Sequence, residues 1–195
     1  MYRLGFTPWD GEVPPELVDI IMGPSALPAA RAMDLGSGKG GKAIYIAEHG
    51  WQVTAVENVP VAMREARRRA DKAGVRIDFR QADVTRLGEL GLEPGYSLFF
   101  DFGCYHGLNP AQREAYGKGV ESLAATGATL LLMGFTRPLP PVLRGVTEAG
   151  LQADLGEAWK PVSSRPITTG TSAMNRGAGA WFRFRRAGAL RTTSG

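Results

Sequence analysis

The chain has 195 residues, 44% of them hydrophobic and 22% charged, with a formal net charge of +4. That length holds one domain built on one sheet and leaves no room for a full dinucleotide domain beside a separate substrate domain. The single cysteine, Cys104, excludes an intrachain disulfide and an all-cysteine metal site, and the two histidines, His49 and His106, do not make a zinc site by themselves, so no bound metal is expected.

No run is long and apolar enough to span a membrane, and Met1 to Trp9 contains no apolar segment of signal-peptide type, which predicts a cytoplasmic protein. Residues 1–25 read as an N-terminal cap segment. Thr7-Pro8-Trp9-Asp10-Gly11 precedes Pro14-Pro15 and apolar residues at Leu17, Ile20 and Ile21, the signature of a short amphipathic helix. Gly23 to Pro28 is a connector.

Arg31 to Leu35 predicts a buried strand, Gly36 and Gly38 a tight turn, and Lys42 to Glu48 the start of a helix. Val53 to Glu57 predicts a second strand that ends in a carboxylate. Strand, glycine turn, helix and acidic strand end describe one nucleotide-binding half of a doubly wound sheet, with Glu57 placed to accept hydrogen bonds from both ribose hydroxyls. NAD-binding and S-adenosylmethionine-binding proteins share this pattern. Asp34 favours the second, because a carboxylate beside the turn repels a pyrophosphate but holds an ammonium group. The stretch Asp34-Leu35-Gly36-Ser37-Gly38-Lys39-Gly40 resembles the first motif of class I S-adenosylmethionine-dependent methyltransferases.

Pro60 to Ala73 predicts a helix with Met63, Ala66, Ala70 and Ala73 on one face and Gly74 at its end. Its basic residues, Arg64, Arg67, Arg68, Arg69 and Lys72, have no interleaved aromatics and carry Glu65 and Asp71 among them, so they form a solvated face and predict no nucleic-acid partner. Arg76 to Gln81 predicts a third strand leading to Ala82-Asp83-Val84. After Glu93-Pro94-Gly95, the apolar run Tyr96 to Phe102 predicts a central parallel strand. Its end, Asp101 to Leu108, lies at the carboxyl edge where open α/β sheets bind ligands. Asn109-Pro110 caps a helix reaching to about Ala125 and stopped by Gly127. Ala128 to Phe135 predicts a fifth strand and Leu139 to Ala149 a further helix. A strand is expected within Leu151 to Val162 and a last one over Ala180 to Arg185, with no clear helix between them. Ser163 to Gly179 reads as a long loop, either a cover over the acceptor site or a plain surface loop, and residues 187–195 as a frayed tail.

The resemblance to class I methyltransferases covers roughly residues 5–186 and implies a doubly wound, mostly parallel seven-stranded Rossmann-like sheet ending in an antiparallel hairpin, in a single domain over 1–195. It implies S-adenosylmethionine as cofactor, held by Asp34, Gly36, Ser37 and Gly38 in the first turn and by Glu57 and Asn58 after the second strand. Asp83 would bond the adenine amino group, with the amide of Val84 near the ring. Asp101 and Gly103 match the fourth motif, whose residues touch the transferred methyl and the acceptor. The Trp9 segment looks like that of thiopurine-methyltransferase-like enzymes, where a tryptophan approaches the cofactor. The expected reaction is methyl transfer to N, O or S of a small molecule, with His106 as the candidate general base and Asp101 beside it. The alternatives are a nicotinamide-dependent reductase and a non-catalytic S-adenosylmethionine-binding protein.

Overall fold

In the computed structural model the described residues are 11–24, 26–138, 144–167 and 178–188. Trp9 and its segment lie outside them. The strands are β1 (Arg31–Leu35), β2 (Gln52–Glu57), β3 (Ile77–Gln81), β4 (Tyr96–Phe102), β5 (Ala124–Phe135), β6 (Trp159–Pro166) and β7 (Gly179–Arg186). They form one seven-stranded sheet in the order β3-β2-β1-β4-β5-β7-β6. β7 runs antiparallel to β5 and to β6, and the other pairs are parallel. The doubly wound sheet with a reversed hairpin at one end is the architecture the sequence implies.

The helices are α1 (Pro15–Met22), α2 (Gly41–Glu48), α3 (Pro60–Ala73), α4 (Pro110–Leu123) and α5 (Glu148–Leu155). Alternation along the strands divides the core in two. Met33, Leu35, Phe99, Leu130 and Leu132 pack with Tyr116 and Val120 of α4 and Leu151 and Leu155 of α5. Ala32, Ala55, Phe100, Leu131 and Met133 pack with Leu17 and Ile20 of α1, Ile46 of α2 and Met63 and Ala66 of α3. Apolar burial on both faces explains why the central strands read as continuous apolar runs. Gly74 ends α3 in the left-handed conformation, and Asn109 with Gln112 forms a complete capping box at the start of α4.

Three boundaries differ from the sequence reading. α4 ends at Leu123 and β5 begins at Ala124, which pairs with Tyr96 before the register shifts. Gly127, with φ +77°, lies inside that irregular strand start instead of ending the helix. The helix expected over 139–149 is α5, starting at Glu148 because the Thr147 side chain accepts the Gly150 amide at 3.0 Å and caps it there. Residues 139–143 lie outside the described residues. The strand expected within 151–162 is β6, which also takes Ser163 to Pro166 out of the predicted loop; 168–177 and 189–195 are not among the described residues.

Candidate active site

The turn after β1 carries three glycines in the left-handed region, Gly36 (φ +73°), Gly38 (φ +56°) and Gly40 (φ +78°). Space also demands glycine at 36, since a Cβ there would stand 2.8 Å from Cβ of Cys104 on the neighbouring edge. β2 fastens the turn. The Gly36 and Ser37 amides donate to the Val56 carbonyl at 2.9 and 3.0 Å. The Gly38 amide donates to Glu57 Oε2 at 2.8 Å, and the Val59 amide to Oε1 at 2.7 Å. Glu57, only 5% exposed, therefore fixes the turn through one oxygen and its own strand end through the other.

Asp34 is buried at the strand end, 3% exposed. The Ala43 amide of α2 hydrogen-bonds it, while its Oδ2 has no partner among the described residues. Burial raises its pKa to about 7; the Lys42 charge opposes that rise, and Asp101 and Glu57 add to it. Ser37 Oγ is likewise buried without a partner among the described residues.

At the end of β3, Asp83 Oδ1 accepts the Thr85 amide at 2.9 Å and its hydroxyl at 2.8 Å, and so caps the 3-10 turn Val84–Glu89. Val84 is buried at the head of that turn, and Asn58 is exposed after β2.

The edge after β4 departs from expectation at Asp101. Register pairs Asp101 with Leu35 and Asp34 with Phe100, so Asp101 points to the opposite face of the sheet from Asp34. It is fully buried, and it accepts the Cys104 amide (2.7 Å), the Tyr105 amide (3.1 Å) and the Tyr116 hydroxyl (3.0 Å). Burial raises its pKa to about 7 against these donors. Through those three bonds the carboxylate holds its own loop, from the face of the sheet opposite Asp34.

His106 is 8% exposed, with its ring 4.9 Å from that of Phe135 and Nδ1 buried without a partner among the described residues. Burial, helped by the Arg113 charge, lowers its pKa to about 4. Burial keeps this ring neutral through the physiological range and makes it a weak base. Gly103 (φ +89°) passes close beneath it, since a Cβ there would lie 2.9 Å from its Cε1.

Asp101, Glu57, Asp83 and Asp34 all bear electrostatically on Cys104, so the four carboxylates singled out in the sequence converge on one patch of the sheet's carboxyl edge. Lys42 was missed. Its ammonium lies 5.1 Å from the centre of the Phe102 ring and donates to the Gly11 carbonyl at 3.3 Å. The signal was present, because Lys42 stands four residues before the buried Ile46 and so shares the inward face of α2.

A methyltransferase-domain family matches residues 32–127, a span containing Asp34, the glycine turn, Glu57, Asp83 and Asp101. The chain carries a methyltransferase domain over that span and the class I S-adenosylmethionine-dependent methyltransferase fold. A 2-heptyl-1-hydroxyquinolin-4(1H)-one methyltransferase of Mycobacteroides abscessus is 25% identical to this methyltransferase over 158 residues, 78% of the chain and 68% of the relative. A protein solved in work on the conversion of a disulfide bond into a thioacetal group during echinomycin biosynthesis shares its fold with a TM-score of 0.74 at 24% identity, over 93% of this chain and 84% of that one. The 1,6-didemethyltoxoflavin-N1-methyltransferase of Burkholderia thailandensis gives a TM-score of 0.69 at 22% identity, over 89% and 78% of the two chains. No helix among the described residues is long and apolar enough to cross a membrane.

Proposed function

We propose that this methyltransferase acts as a single domain over 1–195, in the cytoplasm, on N, O or S of a small molecule and not on nucleic acid. The observation that carries the reading is the buried Oδ2 of Asp34 beside the glycine turn, which has no partner among the described residues. An orphaned carboxylate oxygen is costly unless a cation or donor meets it. The α-ammonium of S-adenosylmethionine fits that demand, whereas the pyrophosphate of a nicotinamide cofactor would add negative charge to it. Ser37 Oγ is a second orphaned group at the same turn.

In this reading Asp34 receives the ammonium group, and Gly36, Ser37 and Gly38 leave room for the methionine chain. Each oxygen of Glu57 has a lone pair beyond the one used on the backbone, so the same carboxylate accepts the ribose hydroxyls while bracing the turn. Asn58 flanks the ribose. Asp83 and the Val84 amide take the adenine, and Gly103 lines the methyl-bearing end. The bound cofactor supplies a methyl group already activated by the positive sulfonium. The protein's task is then alignment, which can be worth about 7–11 kcal/mol. Asp101 contributes by holding the Gly103–Tyr105 turn through its bonds to Cys104 and Tyr105. His106, neutral, accepts a hydrogen bond from the acceptor and does not remove a proton from a strongly basic one.

The deciding experiment is a tritiated-methyl transfer screen with S-adenosylhomocysteine release as second readout. The panel leads with hydroxyquinolones and nitrogen heterocycles, the classes named for two relatives. Transfer to one of these or to another small molecule is the expected result. Cofactor binding with transfer to nucleic acid or protein alone would overturn it.

A further inference from the structure

A lysine in the interior needs an explanation, because burying an ammonium group is costly unless it meets charge or π-density. Lys42 is 8% exposed and sits on the inward face of the first turn of α2. Its ammonium lies over the Phe102 ring at the end of β4 and donates to the Gly11 carbonyl just ahead of α1; Phe102 is on the same face of the sheet as Asp34, two residues past Asp34's register partner Phe100, and the Lys42 charge bears on Asp34 there. The charged groups that bear on Asp34 are Lys42 from α2, Asp101 from β4 and Glu57 from β2, together with the Ala43 amide. Two of these are carboxylates that press Asp34 towards its neutral form, in a place with almost no water to screen them. Lys42 is the cation that opposes them among the described residues.

We propose that Lys42 is a positioning residue for the cofactor, holding Asp34 in the charged form that receives the α-ammonium group. The inference rests on the reading of Asp34 given under Proposed function and adds a residue to it. A neutral carboxylic acid at 34 would offer the ammonium group a weak acceptor and a competing O–H donor. A carboxylate offers charge and an oxygen, Oδ2, that the described residues do not use. Lys42 stabilises that carboxylate before the ligand arrives, so less of the ligand's binding energy is spent on ionising the site. The consequence is that cofactor affinity carries a proton, lost on binding wherever Asp34 is partly protonated beforehand.

The test is calorimetry with S-adenosylhomocysteine between pH 6 and pH 8.5, in buffers of different ionisation enthalpy, with thermal melting to confirm folding. The wild-type protein should bind with proton release that grows below neutrality, and affinity should fall towards about tenfold per pH unit on the acid side. Lys42→Met, which keeps the length and apolar stem, should bind about tenfold or more weakly at pH 7. Its deficit should shrink as pH rises, because alkali replaces the lost charge in ionising Asp34. Lys42→Arg should keep the wild-type profile. In Asp34→Asn the acid-side fall should vanish, and adding Lys42→Met to it should cost little more. A Lys42→Met deficit that is the same at every pH, or an acid-side fall retained in Asp34→Asn, would overturn the proposal. If the wild-type protein fails to bind S-adenosylhomocysteine at all, the cofactor reading itself has failed, a different result from either.

Discussion

The turns after β1 and β4 are built alike and used differently. Each follows a parallel strand at the centre of the sheet, each begins with a buried aspartate, and burial lifts both carboxyls to about 7. Asp101 is surrounded by the amides of its own loop and the hydroxyl of Tyr116. Asp34 has an oxygen that no described residue meets. A buried carboxylate whose bonds are all internal is committed to the fold; one with a vacant lone pair at a ligand-binding edge is available to a ligand. The perturbed pKa does not separate the two cases, because burial produces it in both. The hydrogen-bond inventory does.

Truncation should break the comparison hardest at Asp101. Asp101→Ala strands three donors in the core and should lower unfolding free energy by about 3–5 kcal/mol, read by chemical denaturation. Asp34→Ala should cost far less stability and act mainly on cofactor affinity.

Glu57→Ala comes next. It removes the brace of the Gly38 amide as well as the ribose contact, so S-adenosylhomocysteine affinity should fall by about 1.5–3 kcal/mol, roughly ten- to a hundredfold or somewhat beyond, by calorimetry. Unchanged affinity in the folded variant would remove Glu57 from the site.

The pH dependence sharpens the pairing. Asp34 and Asp101 have folded pKa values near 7, above their ordinary value of 3.8, so between about pH 4 and pH 7 the folded protein holds protons that the unfolded chain has lost. Their contribution to stability is therefore full below pH 4 and is lost as pH rises through 7. His106, lowered to about 4, acts the other way, since the unfolded chain binds its proton from about pH 6.5 downward. Two groups against one leave a net loss with rising pH, about 1.4 kcal/mol per pH unit for each net proton. Denaturation of the cofactor-free protein at pH 5 and pH 7.5 should show the higher stability at pH 5, and Asp101→Asn should reduce the difference.

Smaller effects are expected at the rim. His106→Ala should lower turnover by about tenfold, near 1.4 kcal/mol, once an acceptor is known, and leave cofactor affinity within about threefold. The wild-type rate should show no histidine limb between pH 5 and pH 8; a limb in that range that vanished in the variant would restore the general-base role. Asp83→Ala loses a turn cap and should weaken cofactor binding by about 1 kcal/mol, read in the same titration.

The parts of the fold legible in the sequence are those set by local chemistry. Gly74, Asn109-Pro110 and the apolar run Tyr96 to Phe102 state their conformations within a few residues, and α3 and β4 fall where they were placed. What was not legible depends on partners far along the chain. Ala124 joins β5 because Tyr96 is opposite it. The helix expected over 139–149 begins at Glu148, where the Thr147 side chain caps it. At the site, residue types were legible but facing was not. Asp101 reads as catalytic by position, yet the register with Leu35 turns it towards Tyr116. The lowered pKa of His106 comes from burial, which spacing does not reveal.

The hairpin that closes the sheet has a consequence beyond the site. β6 is the edge strand on the hairpin side, and an open edge is a template on which another chain can add a strand. Along this edge Pro161 offers no amide hydrogen, the register shifts between Pro161 and Ser163, and Pro166 ends the strand. Lys160 and Arg165 place positive charge on either side of that break. A second copy in the same orientation would meet an interrupted ladder and like charges, so the exposed Val162 does not seed a continuous intermolecular sheet. The strand that completes the fold also blunts the edge it forms.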